Sequence, residues 1–350
     1  MKTLLPLLLL AAIAGCTSVQ SRNHTSDYVV PSDAPFTLLV DTSGKYNFKS
    51  LWIFPVIAKE EFIEANSHVG PFITLKEAMD RKAIVITEMY DSVRTNGGRQ
   101  NESEVVMSDN AEVNTLYIQN VGEDTVLILA GEIIKGGKQD RLIAKDFLLP
   151  PHSGKTDVSV FCVEPHRWNV SADHSSQGAV TDNYEGANFS EYKKVASNKV
   201  RQKAVKDQDQ GKVWDEVKIV TNKNSASSST GSYNALEKSP SFKNEHDEYE
   251  KFFGHKFDET ENVIGVIVVS GDSVIGCDIF CTPDLFRREF INLLDAYVTD
   301  AITDQGKSKN TSAKAERYFA TVAADYSDAS EKPNSSKFFH AGRLIHYSSF

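Results

Sequence analysis

Between Thr115 and Glu164 apolar residues come in short runs separated by polar turns carrying Gly or Pro. The runs at 115–120, 125–134, 141–150 and 157–164 read as four strands, and their spacing predicts an antiparallel sheet, one half of a sandwich. "VGED" between the first two predicts a hairpin turn, and "PHSGKT" separates the last two. Upstream, "FTLLVD" (36–41) and "SLWIFPVIA" (50–58) have strand patterns. "TLKEAMDR" (74–81) carries Thr74 and Glu77 as a capping box and predicts a short helix. "KAIVITEM" (82–89) predicts a strand, and "RTNGGRQNESE" (94–104) a polar loop.

After residue 170 the pattern changes. Residues 174–190 read as loop. "EYKKVASNKVRQKAV" and "DQGKVWDEVKIVTN" read as helices, the second with Val213, Trp214, Val217 and Val220 at helical spacing. "NKNSASSSTGS" (222–232) is Ser-rich and predicts a flexible surface segment. Order resumes with "NVIGVIVVS", Gly271-Asp272 and "SVIGCDIF", a hairpin with a two-residue turn. Thr282 and Pro283 then make a helix start, followed by an apolar stripe of Phe286, Phe290, Leu293, Leu294 and Tyr297. A second helix is predicted at 312–326 and a closing strand at 342–350. The fold class is α+β: an antiparallel, sandwich-like β-rich part (35–170) packed with a smaller hairpin-plus-helices part (246–350). Between them lie a helical part (190–224) and a flexible loop (225–245), all within one domain, 35–350.

The first residues belong to targeting, not to this fold. "MKTLLPLLLLAAIAGC" has one positive charge, an apolar stretch and small residues before a cysteine, the pattern of a secretory signal. Its end, Ile13-Ala14-Gly15-Cys16, is similar to a bacterial lipobox, so residues 1–15 are expected to be removed and Cys16 lipidated. Plain secretion with Cys16 as a bystander is the alternative. The apolar run falls short of the ~20 residues a bilayer-spanning helix needs. Residues 16–34 then form a polar tether. The expected location is the cell envelope, with Thr17 in place of Asp favouring the outer membrane, facing the periplasm. The formal charge of −10 argues against nucleic acid as a partner. The expected partners are the membrane, through lipid on Cys16, and a small anionic ligand or an envelope protein.

Two stretches could carry chemistry. In "GEIIKGGKQDR" (131–141), Gly136 and Gly137 permit positive φ, Lys138 and Arg141 suit an anion, and Glu132 suits a base or counter-ion. The plainer reading is a glycine turn with solvated charges. It is not a P-loop, which needs Lys-Ser/Thr and a following helix. In "CVEPHRW" (162–168), Glu164 and His166 could form an acid–base pair and Trp168 could stack on a ring. Alternatively Glu164 pairs with an Arg, Trp168 fills the core and His166 is exposed. In a four-strand meander both stretches lie at one end of the sheet and share a rim. Cys162, Cys277 and Cys281 are expected to be buried thiols. No metal or cofactor is expected, since there is no CxxC, HExxH, GxSxG or GxGxxG pattern.

The block 131–168 also resembles a family. Gly131, Glu132, Gly136, Gly137, Gln139, Arg141, Cys162, Val163, Glu164, Arg167 and Trp168 carry the likeness, with "GKVWDEV", "GCDIF" and "IHYSSF" further on. These resemble the ARG and rhodanese-phosphatase-superfamily-associated protein domain, a family of unknown function. The resemblance spans roughly residues 35–350 and implies little chemistry beyond an association that suggests a nucleotide or ADP-ribose-like ligand. The expectation is a lipid-anchored binding domain with a rim of Glu132, Gly136, Gly137, Lys138, Gln139, Arg141, Glu164, Arg167 and Trp168. The alternatives are a hydrolase of a phosphate-containing or ADP-ribose-like molecule using the same rim, or a structural envelope protein in which these charges form a buried ion-pair network.

Overall fold

A computed structural model of the chain describes residues 33–41, 43–88, 92–94, 105–107, 114–167, 189–307 and 311–350. The signal segment, Cys16, all but the last two residues of the tether, nearly all of the loops expected at 94–104 and 174–190, and Trp168 lie outside the described residues. Among the described residues, no helix is long and apolar enough to cross a membrane.

The fold is α+β and built on antiparallel sheets. The largest sheet joins the two ends of the chain. Its order is Phe36–Leu38, Leu51–Ala58, Val263–Ser270, Ser273–Phe280, Arg343–Ser349 and Ser335–His340, with Asn47–Phe48 on the side of Leu51–Ala58. The predicted hairpin of 262–280 is thus central, and the N-terminal strands belong with it rather than with the 115–164 strands. Val263–Ser270 is buried at every position. Helix Pro283–Asp304 packs near this strand, and helix Thr311–Ser327 covers the sheet's opposite face, so both faces of the strand are apolar. That arrangement requires the unbroken apolar run seen in the sequence. Helix Pro283–Asp304 starts as expected, with the Thr282 hydroxyl accepting from Leu285 N–H.

A second sheet has the order Phe189–Val195, Glu132–Gly136, Arg141–Ile143, Thr156–Cys162, Thr115–Asn120 and Ile84–Glu88. A third, of three strands, pairs Thr125–Ile128 with Phe147–Leu149 and, in parallel, with Phe72–Thr74. The hairpin expected across "VGED" does not form. Thr115–Asn120 pairs with Thr156–Cys162 and Ile84–Glu88, and the chain changes sheets at 121–124. Asn120 turns it: the buried side-chain amide donates to the carbonyls of Asp124, Leu149 and Pro150.

The runs 125–134 and 141–150 each break into two strands. At the first break the backbone N–H groups leave the ladder: Leu129 donates to Glu132 Oε2 at 2.8 Å and Ala130 to Asp146 Oδ1 at 2.7 Å. Gly131 follows with φ +96°, a conformation costly for any other residue. A Cβ there would lie 2.4 Å from Arg201 Cγ. At the second break, Asp146 sits between Arg141–Ile143 and Phe147–Leu149. Two more expectations change. The first predicted helix, 191–205, starts inside the edge strand Phe189–Val195 and becomes helical only at Asn198–Gln202. The loop expected to be flexible at 225–245 contains the short helical turn Tyr233–Lys238 and the start of helix Pro240–Phe253, with Tyr233 fully buried. Cys162, Cys277 and Cys281 are buried free thiols, as expected.

Candidate functional site

The Gly136-Gly137 turn and the Glu164–Arg167 turn do meet at one end of the six-stranded sheet. Arg167 fastens them together. Its Nε donates to Glu164 Oε2, and its Nη2 donates to Asp140 Oδ1 at 2.7 Å. Longer bonds of 3.4 Å reach the carbonyls of Gly136 and Gly137. Glu164 in turn accepts from Asp140 N–H, and its carbonyl accepts from Gln139 Nε2. Asn234, from the turn after the Ser-rich segment, donates to Asp140 Oδ2 at 2.7 Å. Burial and the neighbouring Glu164 raise the Asp140 pKa, against the opposing pull of Asn234 and Arg167.

Gln139, Asp140, Arg141 and Glu164 of these turns face inward, while Gly136, Gly137, Lys138 and Arg167 are half-buried. Arg141 has no exposed surface; its Nη1 donates to Gln139 Oε1 at 2.7 Å, and its Nη2 lies 3.6 Å from Glu88 Oε2. Glu88 also accepts from Lys138 N–H at 2.8 Å. That contact explains the glycine pair: Gly137 has φ +53°, and a Cβ on it would stand 2.5 Å from Glu88 Oε1. The turn therefore closes over a buried carboxylate. Lys135 reaches Glu191 on the edge strand instead. Arg167 keeps 24% of its side chain exposed. Arg167→Ala should accordingly cost about 2 kcal/mol, the scale of charge-assisted hydrogen bonds at a part-buried site. A urea-melt midpoint unchanged in that variant would show that the two turns hold together without it.

Glu132 does not belong to this rim. It begins the strand that ends at Gly136, so it lies roughly 13 Å away along the strand. It is fully buried near Glu289, Asp146 and Tyr192. Burial pushes both glutamates up, Glu289 to about 8, and each keeps one carboxyl oxygen without a partner.

Next to them runs a chain of buried charges that joins the sheets. His346 Nδ1 is 2.5 Å from Asp146 Oδ2, and its Nε2 is 3.1 Å from Asp278 Oδ1. Two carboxylates facing both ring nitrogens require the imidazolium form. Asp278 also takes Arg201 through both terminal nitrogens, at 2.9 and 3.3 Å, and the Tyr297 hydroxyl. Arg201 completes its shell with Asn198 Oδ1 and the Ala130 carbonyl. All of these side chains are buried, so the cluster has no access for a ligand. The sequence reading missed it, although a signal was there: Asp278 is the single charged position inside the apolar run "VIGCDIF", and His346 follows two apolar residues in the closing strand "RLIHYSSF".

Cys162 is unsuited to nucleophilic attack. It is fully buried, and burial pushes its thiol up. Gln210 brackets its backbone with two reciprocal 2.8 Å bonds. His166, by contrast, opens onto a cavity of about 390 Å³ that continues past the Glu164–Arg167 turn. Trp214, Asp215 and Lys218 of helix Gln210–Lys223 form one wall, and Ser227 and Ser228 the other. A larger cavity, about 550 Å³, opens near the start of helix Pro283–Asp304. There Arg287 already binds the Thr260 carbonyl and lies 3.5 Å from Asp284.

No curated protein and no solved structure matches this chain. A family model does, over residues 40–349, nearly the whole of the described fold. On that match the chain belongs to the family of the ARG and Rhodanese-Phosphatase-superfamily-associated Protein domain.

Proposed function

We propose that this chain is a lipid-tethered envelope protein that binds a small molecule in the cavity beside the Pro165-His166 turn. The observation that carries the reading is the state of the cavity's polar groups. Among the described residues, the side chains of His166, Asp215, Lys218 and Asn222 have no hydrogen-bond or ion-pair partner. Arg141, Glu132, Glu164 and Gln139, by contrast, are engaged in the interior. A concave site with a few convergent, unengaged polar groups and an aromatic wall is the usual form of a ligand site. The ion-paired turns then act as its rigid floor. Hydrolysis through Glu132 or Glu164 has less to recommend it, since Glu132 is sealed and Glu164 is held by Arg167.

Two measurements test the reading. Cys16→Ser should move the full chain from the membrane fraction to the soluble fraction; retention in membranes would remove the tether. A thermal-shift panel on the full chain in detergent, covering sugars, nucleotides and sugar phosphates, should yield a concentration-dependent rise in Tm that is lost in Trp214→Ala. Silence across the panel would remove the binding site.

A further inference from the structure

We propose that the ligand of this cavity is a neutral carbohydrate, a hexose or amino-sugar oligomer, and not the anion that the Lys- and Arg-rich turn suggests. The inference rests on the cavity being the binding site. Its chemistry decides the class. Trp214, half-buried on helix Gln210–Lys223, offers an indole wall to the cavity. A pyranose ring has an apolar C–H face that packs on such a surface, with hydroxyls around its edge that both donate and accept.

The groups around the indole match that edge. Asp215 accepts, Lys218 donates, and Asn222 and the hydroxyls of Ser227 and Ser228 do both. Asp215 and Lys218 cancel in charge, and His166 adds an imidazole to the lining. A phosphate would need an excess of cations, and among the described residues the cavity lining offers none beyond Lys218, which Asp215 offsets. Arg167 points away to Glu164, Asp140 and the Gly136 and Gly137 carbonyls, and Arg141 is buried against Glu88 and Gln139. An anionic ligand would also meet the unpaired Asp215 carboxylate. The volume of about 390 Å³ suits one or two sugar rings, with the open side allowing a longer chain to continue.

The test uses the full chain in detergent micelles and isothermal titration calorimetry with tetra-N-acetylchitotetraose, maltotetraose, ADP-ribose and inorganic phosphate. At least one of the two oligosaccharides should bind, with Trp214→Ala weakening it about tenfold or more and Trp214→Phe retaining most of it. Asp215→Asn, an exposed position whose change does not threaten folding, should weaken the same sugar severalfold. Binding by ADP-ribose or phosphate alone, sensitive to Trp214→Ala, would overturn the carbohydrate assignment and leave the binding site standing. Sugar binding indifferent to both Trp214 and Asp215 would overturn the assignment to this cavity. No heat with any of the four would overturn the carbohydrate proposal, and silence in the broader thermal-shift panel as well would overturn the site.

Discussion

Asp278→Asn is expected to destabilise the fold by about 3–5 kcal/mol, the cost of removing one partner from a buried charge pair. Asp278 touches Arg201, His346 and Tyr297 together. Asparagine keeps the shape but not the charge, and either orientation of its amide turns NH₂ toward an Arg201 nitrogen, together with His346 in one orientation or the Tyr297 hydroxyl in the other, all of which donate. Two cations would then share the interior with Asp146 as the remaining carboxylate in direct contact with His346. The loss should appear as a large fall in the urea midpoint with little change in slope. An exposed pair gives the comparison: Asp80→Asn, which breaks the surface contact with Lys76, should cost no more than about 0.5 kcal/mol. If Asp278→Asn and Asp80→Asn shift the midpoint equally, the buried chain of charges is not what joins the sheets.

The same cluster shows where sequence reading succeeds and fails. The hairpin 263–280, the helix capped by Thr282 and the Thr74–Glu77 capping box are local features: a periodic pattern plus a turn or cap determines each. The breaks at Leu129–Gly131 and Ala144–Asp146 are not local. Apolar periodicity runs straight through the first, and the cause is Asp146 and Glu132 taking backbone N–H groups out of the ladder. Residues 191–195 read as helix because "EYKK" is polar and lacks alternation. They lie in an edge strand, bulged against Glu132–Gly136, and edges tolerate Lys and Glu. At the candidate site, the meeting of the Gly-Gly turn with the Glu164–Arg167 turn was legible from strand direction. Burial was not, because Arg141 and Glu132 look the same in sequence whether they face water or Glu88 and Glu289. Trp214 was visible only as part of a helix's apolar stripe; that it lines a cavity depends on the Ser-rich segment folding back, which composition alone presented as flexible.

Stability should fall steadily as pH rises from about 5 to 9.5. His346 drives the alkaline part. Burial alone would lower its pKa, but Asp146 and Asp278 outweigh it and raise the value from 6.5 to about 9. Its contribution is therefore complete below pH 6.5 and lost as pH passes through 9, on the order of 3 kcal/mol. The buried acids act in the same direction over a lower range. Burial raises Glu289 to about 8 and Asp300 to about 7, so the folded state holds protons that the unfolded chain releases near pH 4–4.5. Their share is present at acid pH and declines toward neutrality. Asp278 opposes this only at the acid extreme: burial favours the protonated form, but Arg201 and His346 outweigh it and hold the carboxyl well below its usual range, so its stabilisation fades as pH drops under 4. The maximum is thus expected near pH 4–5, below the range of about 5–8 usual for globular proteins. Tm measured across this range should separate the groups. Glu289→Gln imitates the protonated acid and should flatten the decline between pH 5 and 8, leaving the protein more stable than its parent at pH 8. Parent and variant with parallel Tm profiles would mean that Glu289 is ionised in the folded protein, and the buried acid pair would then need a cation to accompany it.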